Sequence, residues 1–130
     1  QLVLTEHHLY ELRDKENLTF DDMNIIETKE WSTEETLYRL GVHLVNHNHL
    51  ILGKRVFKYC RDLSYDKADT DAYLAYILWQ TGDREQVPQF IDSALEGRSN
   101  TLFELFDIPY KTNISSATFI KQIEQKKSNA

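Results

Sequence analysis

One cysteine, two prolines and four glycines in 130 residues leave little to staple or punctuate a fold. A single thiol, Cys60, excludes an internal disulfide framework and a multi-cysteine zinc knuckle, and it fits a reducing compartment. So few Gly and Pro argue against a many-turned β fold and for helices. No run approaches the roughly 18 apolar residues that span a bilayer. No signal-peptide core or lipidation pattern is visible either, although Gln1 is not a start residue and further residues can precede it. Positive charge is also short. Fifteen Lys and Arg face 21 Asp and Glu for a net charge of −6, and the basic runs are only Lys54-Arg55 and Lys126-Lys127. That balance argues against non-specific nucleic-acid binding and against a basic membrane-surface helix. What is present is 41% hydrophobic residues, enough for one domain spanning residues 1–130. A core at this length removes about two-thirds of the unfolded surface from water.

Along the chain the apolar spacing is helical. A short amphipathic helix is expected over His7 to Lys15, and Thr19 with Asp21 and Asp22 makes a cap with acidic first-turn residues. Residues 1–31 thus read as an N-terminal helical arm. Ser32-Thr33-Glu34-Glu35 is a capping box, and a firm helix start is expected there. Leu37, Leu40, Gly41, Leu44 and Val45 mark one face of that helix. Asn46-His47-Asn48-His49 then supplies poor helix formers and an Asn able to adopt a left-handed turn. Leu50, Gly53, Phe57, Tyr59 and Cys60 mark the second helix, which ends near Asp62. Ala68, Ala72, Leu74, Ala75 and Leu78 mark the third, which stops at Thr81-Gly82-Asp83. Val87, Phe90, Ile91, Ala94 and Leu95 mark the fourth, with Gly97 expected to close it. Pro88 cannot sit deep in a helix, so this one should begin near Gln86 or Val87. Beyond it come a short apolar helix, Thr101 to Phe106, a Pro-Tyr turn and an amphipathic helix from Ser115 to Lys126 striped by Phe119, Ile120 and Ile123.

An offset of 34 residues superposes the two helical hairpins. Leu40 falls on Leu74, Gly41 on Ala75, Leu44 on Leu78, Phe57 on Ile91 and Cys60 on Ala94. The small pairs are the informative ones. Glycine in mid-helix costs about 1 kcal/mol relative to alanine, so close helix–helix approach is the physical reason to place it there.

These residues resemble the tetratricopeptide repeat, whose 34-residue unit sets small residues at its positions 8, 20 and 27 and large apolar ones at 4, 7, 11 and 24. A first unit over 34–67 puts Leu37, Leu40, Gly41, Leu44, Gly53, Phe57 and Cys60 on those seven places. A second over 68–99 puts Leu74, Ala75, Leu78, Val87, Ile91 and Ala94 on six, with Asp71 the departure. A third unit from Leu102 fails, because Pro109 falls on a mid-helix place. The resemblance implies an all-α, TPR-like α-solenoid of two helical hairpins, with the N-terminal arm and the helices of 101–127 as caps on its apolar ends. An ordinary helical bundle is the alternative.

Catalytic patterns are missing. His43 and His47 stand at i, i+4 with His49 behind, yet no H-E-x-x-H arrangement accompanies them, so they read as a solvated helix end with turn-favouring side chains rather than as a metal site. The His7-His8 pair reads the same way. Cys60 occupies a small-residue place and reads as a buried, inert thiol. There is no G-x-S-x-G frame and no glycine-rich phosphate loop. The Asn-x-Ser/Thr triplets at Asn17 and Asn113 are patterns of high chance frequency. The chain is read as non-enzymatic, with no metal and no cofactor.

What is left is a surface. In tetratricopeptide proteins the first helix of each unit lines a concave groove. The resemblance carries that role onto Glu35, Tyr38, Val42, Val45 and Asn46, then onto Asp69, Ala72, Tyr76, Trp79 and Gln80. Such a groove is apolar and aromatic, edged by acid, and Tyr and Trp dominate binding hot spots. The alternative is that Tyr38, Tyr76 and Trp79 pack under the protein's own ends. Tyr38 and Val42 stand where repeat domains that hold chaperone C-termini have Lys and Asn, so a carboxylate clamp is not expected. The acidic charge, the N-terminal arm, the run Glu35 to Leu40, Arg55-Val56-Phe57 and the Gln80–Gly82 turn look like class II chaperones of bacterial type III secretion. That resemblance implies a cytoplasmic, virulence-associated chaperone holding a hydrophobic translocator or other export subunit, with the arm serving cargo or a homodimer. The family has three repeats where this chain shows two, which leaves the cargo open. A scaffold or adaptor subunit of a larger complex is the other reading.

Overall fold

The computed structural model describes residues 3–4, 30–31, 34–63 and 66–128. They hold six helices: α1 (Glu34–Asn46), α2 (Leu50–Asp62), α3 (Lys67–Thr81), α4 (Val87–Glu96), α5 (Asn100–Phe106) and α6 (Ser116–Ser128). Regular β structure among the described residues is one parallel pair, β1 (Val3–Leu4) with β2 (Glu30–Trp31), in which Val3 faces Glu30 and Leu4 faces Trp31. The chain is all-α. It divides into two compact units, residues 1–65 and 66–130. The helix expected over His7–Lys15 and the Thr19 and Ser32 caps lie outside the described residues. The ends of the expected helical arm are extended rather than helical, in keeping with the β-branched Val3 and aromatic Trp31 found there.

In the first unit α1 packs on α2. Leu37, Leu40, Leu44, Val56 and Cys60 form its core, flanked by Tyr38, Leu52 and Tyr59. A β-carbon built on Gly41 would stand 2.8 Å from Cζ of Phe57, whose ring is fully buried. The mid-helix glycine is there because that ring lies against the α1 backbone. The turn into α2 is set by Asn48 at φ 63°. Its N–H donates to the Val45 carbonyl at 3.0 Å, and that of His49 donates to Leu44 at 2.8 Å, which satisfies the last carbonyls of α1.

The second unit uses the same closure three times. Gly82 (φ 83°) ends α3, Arg98 (φ 58°) ends α4 and Asp107 (φ 54°) ends α5. Gly97 closes α4 as expected, but not through left-handed backbone: its φ is −84° and Arg98 makes that turn. Gly97 is small for another reason, since a β-carbon there would overlap that of Ala68 in the first turn of α3. Pro88 falls in the first turn of α4, where its missing N–H breaks no helical bond.

α3 is the buried axis of this unit. Thr70 to Ala75 and Ile77 to Trp79 are all buried, so the helix is enclosed nearly all round. Two acids in its first turns are held by serines. Ser93 Oγ of α4 donates to Asp71 Oδ2 at 2.5 Å, and Ser99 Oγ donates to Asp69 Oδ1 at 2.6 Å. Ser99 also caps α5, accepting from the Leu102 N–H at 3.2 Å. Asp71, the departure from the repeat pattern, thus trades an apolar contact for a part-buried interhelical hydrogen bond.

Candidate functional site

On α1 the proposed groove positions alternate between open and closed. Glu35 and Asn46 are exposed, Tyr38 and Val42 are half-buried, and Val45 is buried. The Glu35 carboxylate accepts from Arg39 Nη2 at 2.9 Å across one helical turn, an exposed pair worth little by itself. The Tyr38 ring meets Phe57 edge-on, with centroids 5.6 Å apart. Tyr38 is thereby fixed on the same ring that presses against Gly41.

On α3 the same positions behave differently. Ala72 is fully buried, Trp79 is 4% exposed, Tyr76 is half-buried and Gln80 is exposed. The Asp69 carboxylate is engaged by Ser99, so it is a packing group of this unit. Trp79 is clamped on two sides. The Arg84 guanidinium lies 3.5 Å from the centre of its ring while Arg84 Nε donates to the Trp79 carbonyl at 3.2 Å. Phe106 of α5 stands edge-on to both Trp79 and Tyr76, with centroids 6.4 and 5.7 Å away. Phe106 in turn meets Phe119 of α6 at 5.4 Å. The unit's own helix α5 therefore lies against the α3 positions that the sequence suggested for a guest.

What stays open is a cleft of about 300 Å³ beside that contact. Tyr76, Trp79 and Phe106 supply its aromatic wall, Leu105 and Ile123 its aliphatic one, and Gln80 an amide. At its lip Lys126 Nζ donates to both the carboxylate and the carbonyl of Asp107, at 2.5 and 2.7 Å. That hydrogen bond and charge hold the Asp107 carboxyl below the usual carboxylate range. Phe106, Ile123 and Lys126 were invisible as site residues in the sequence, because helical period marks them as apolar or basic without saying which face of α3 they reach. A larger hollow of about 680 Å³ lies at the end of α4, but Asp92, Glu96, Arg98 and Lys111 line it with charges of both signs.

Other titrating groups answer to their surroundings. Burial pushes the Cys60 thiol up to about 12, which keeps it protonated and unreactive. Burial, and then the neighbouring Asp69 charge, raise Asp66. Burial, with Asp69 and Glu104, raises Tyr73. The His43 and His47 rings stand 4.1 Å apart, and among the described residues no group of three or more His, Cys, Asp or Glu gathers in metal-binding range. No described helix is long and apolar enough to cross a membrane. No family model, curated protein or solved structure matches the chain.

Proposed function

We propose that this chain is a non-catalytic protein-binding module of the tetratricopeptide type, which holds an apolar segment of another protein at the aromatic cleft on α3. The repeat reading is supported by burial and turn conformation that follow the 34-residue offset. All five superposed pairs, from Leu40/Leu74 to Cys60/Ala94, are buried at both members. The turn residues Asn48 and Gly82 stand at the same offset, and both take positive φ. The binding reading is carried by one observation: Tyr76 is left half-open beside Trp79 and Phe106 in a concave site with apolar walls. Such a wall suits a hydrophobic side chain of a guest, with Gln80 placed to bond its backbone.

The narrower form of the proposal is a cytoplasmic chaperone for a hydrophobic export subunit. Co-expression of a candidate subunit tests it. The wild-type chain keeps the subunit soluble, and Tyr76→Glu lets it precipitate. Trp79 stays intact in that design, because truncating a buried Trp costs about 3–5 kcal/mol and would unfold the unit instead. Protection that survives Tyr76→Glu in a folded variant refutes the cleft as the site and favours a scaffold that binds elsewhere.

A further inference from the structure

α6 is held firmly at one end and lightly at the other. It packs on α4, and its first turns carry Phe119, which is fully buried. That ring stands edge-on to Phe103 at 5.3 Å and to Phe106 at 5.4 Å. Past Phe119, Ile123 is the one buried side chain among the described residues of α6, and Glu124, Gln125 and Lys126 are exposed. Lys126, about 10 Å further along the helix than Phe119, ties this tip to the end of α5. Asp107 is shaped to receive it. Its left-handed backbone, at φ 54°, ends α5, and both its carboxylate and its carbonyl accept from Lys126 Nζ, at 2.5 and 2.7 Å. Both bonds are exposed, so the tie is weak and screened by salt. The tip matters because Ile123 and Lys126 are the part of the cleft that α6 supplies, facing Tyr76, Trp79 and Phe106.

We propose that the last turns of α6 are a clasp on this cleft, pivoting at Phe119 and fastened by Lys126 to Asp107, and that the clasp sets how fast a bound segment leaves. This rests on the cleft being the guest's site. Closed, the clasp holds Ile123 as the aliphatic wall. Open, it withdraws that wall and frees the aromatic face of Tyr76, Trp79 and Phe106. Opening asks little of the fold: Ile123 leaves its apolar contacts and one exposed ion pair breaks, while Phe119 stays in the core. Such local openings lie well below global unfolding in free energy. A clasp of this kind acts on residence time, because differences in affinity among variants of one interface sit mostly in dissociation.

Hydrogen exchange of the full chain reads the clasp without a guest. Amides of residues 122–126 should exchange several-fold faster in Asp107→Asn, in Lys126→Gln and in wild type at high salt. Lys126→Arg, which keeps the ion pair, should exchange like wild type, and so should Lys121→Glu, which changes charge elsewhere on the same helix. Amides of α3 should not respond in any of them. The second readout uses a fluorescent peptide selected on the wild-type chain from a random library and not held by Tyr76→Glu. Its dissociation should be several-fold faster from Asp107→Asn and Lys126→Gln than from wild type or Lys126→Arg. Exchange indifferent to these substitutions overturns the clasp, and so does exchange that responds while dissociation of the peptide stays the same. If no library peptide depends on Tyr76, the cleft falls as a site and control of it falls too. A Tyr76-dependent peptide released at one rate by all variants refutes the clasp alone.

Discussion

Gly97 and Ala68 touch where the end of α4 meets the start of α3, and the contact leaves no room for a β-carbon on the glycine. The backbone at Gly97 is ordinary, with φ −84°, so space and not conformation demands glycine there. Gly97→Ala is expected to destabilise the protein by about 1–3 kcal/mol, the cost of overpacking. Urea denaturation measures it. Ala68→Gly in the same chain should recover much of the loss, whereas a backbone cause would leave the double variant as unstable as the single.

Gly82→Ala offers the contrast. Nothing lies within 4 Å of a β-carbon there, but φ is +83°. The expected cost is about 1 kcal/mol from the left-handed backbone, and no neighbouring substitution should relieve it.

The Ser93–Asp71 hydrogen bond is part-buried, with Asp71 fully enclosed and Ser93 half-buried. Ser93→Ala should cost roughly 1.5–3 kcal/mol, because a charged acceptor loses a donor. A double-mutant cycle with Asp71→Asn should give a coupling energy above about 0.5 kcal/mol, and additivity would contradict a direct interaction.

How far the sequence led can be judged on these same residues. Helical period, Gly82 and Pro88 mark the helix ends to within a residue or two, because caps and breakers act locally. Burial of Gly41, Ala75, Cys60 and Ala94 also follows from the repeat offset. The partners of Asp69 and Asp71 do not, since they stand 30 and 22 residues away and no local pattern announces them. Gly97 is legible as the end of α4, but its contact with Ala68 and the left-handed turn at Arg98 are not, because both depend on how α4 meets α3. The groove positions on α3 rest on the likeness to one repeat face. Which of them α5 covers depends on where Phe106 packs, and that is tertiary information.

Cys60 gives a pH dependence of known sign. Its thiol titrates near 12 when folded against a reference of 9.0, so above pH 9 the unfolded chain releases a proton that the folded one keeps. Its contribution to stability is full below pH 9 and falls by about 1.4 kcal/mol for each pH unit above it, until the folded thiol titrates. Cys60→Ala removes this slope. Denaturation of both proteins at pH 8 and pH 10 should show their stability difference shifting in favour of the alanine variant, and a constant difference would refute the assignment.

Asp66 and Asp107 should act oppositely in acid. Asp66 is raised, by burial first and by Asp69 next, so its contribution improves as pH falls through its folded value. Asp107 is lowered by Lys126, so its contribution is lost as pH falls through the carboxylate range. Acid melts of Asp66→Asn and Asp107→Asn should therefore depart from wild type in opposite directions, and raised salt should shrink the Asp107 effect.

Trp79 reports the central claim most directly. In a Trp31→Phe background it is the sole tryptophan, placed in the wall of the cleft. Its emission can be followed while a peptide from a co-expressed hydrophobic subunit is titrated in. A saturable spectral shift that weakens at least tenfold in affinity with Tyr76→Glu is the predicted result. Peptide binding with unchanged affinity in the folded Tyr76→Glu protein, and no change in Trp79 emission, would contradict it.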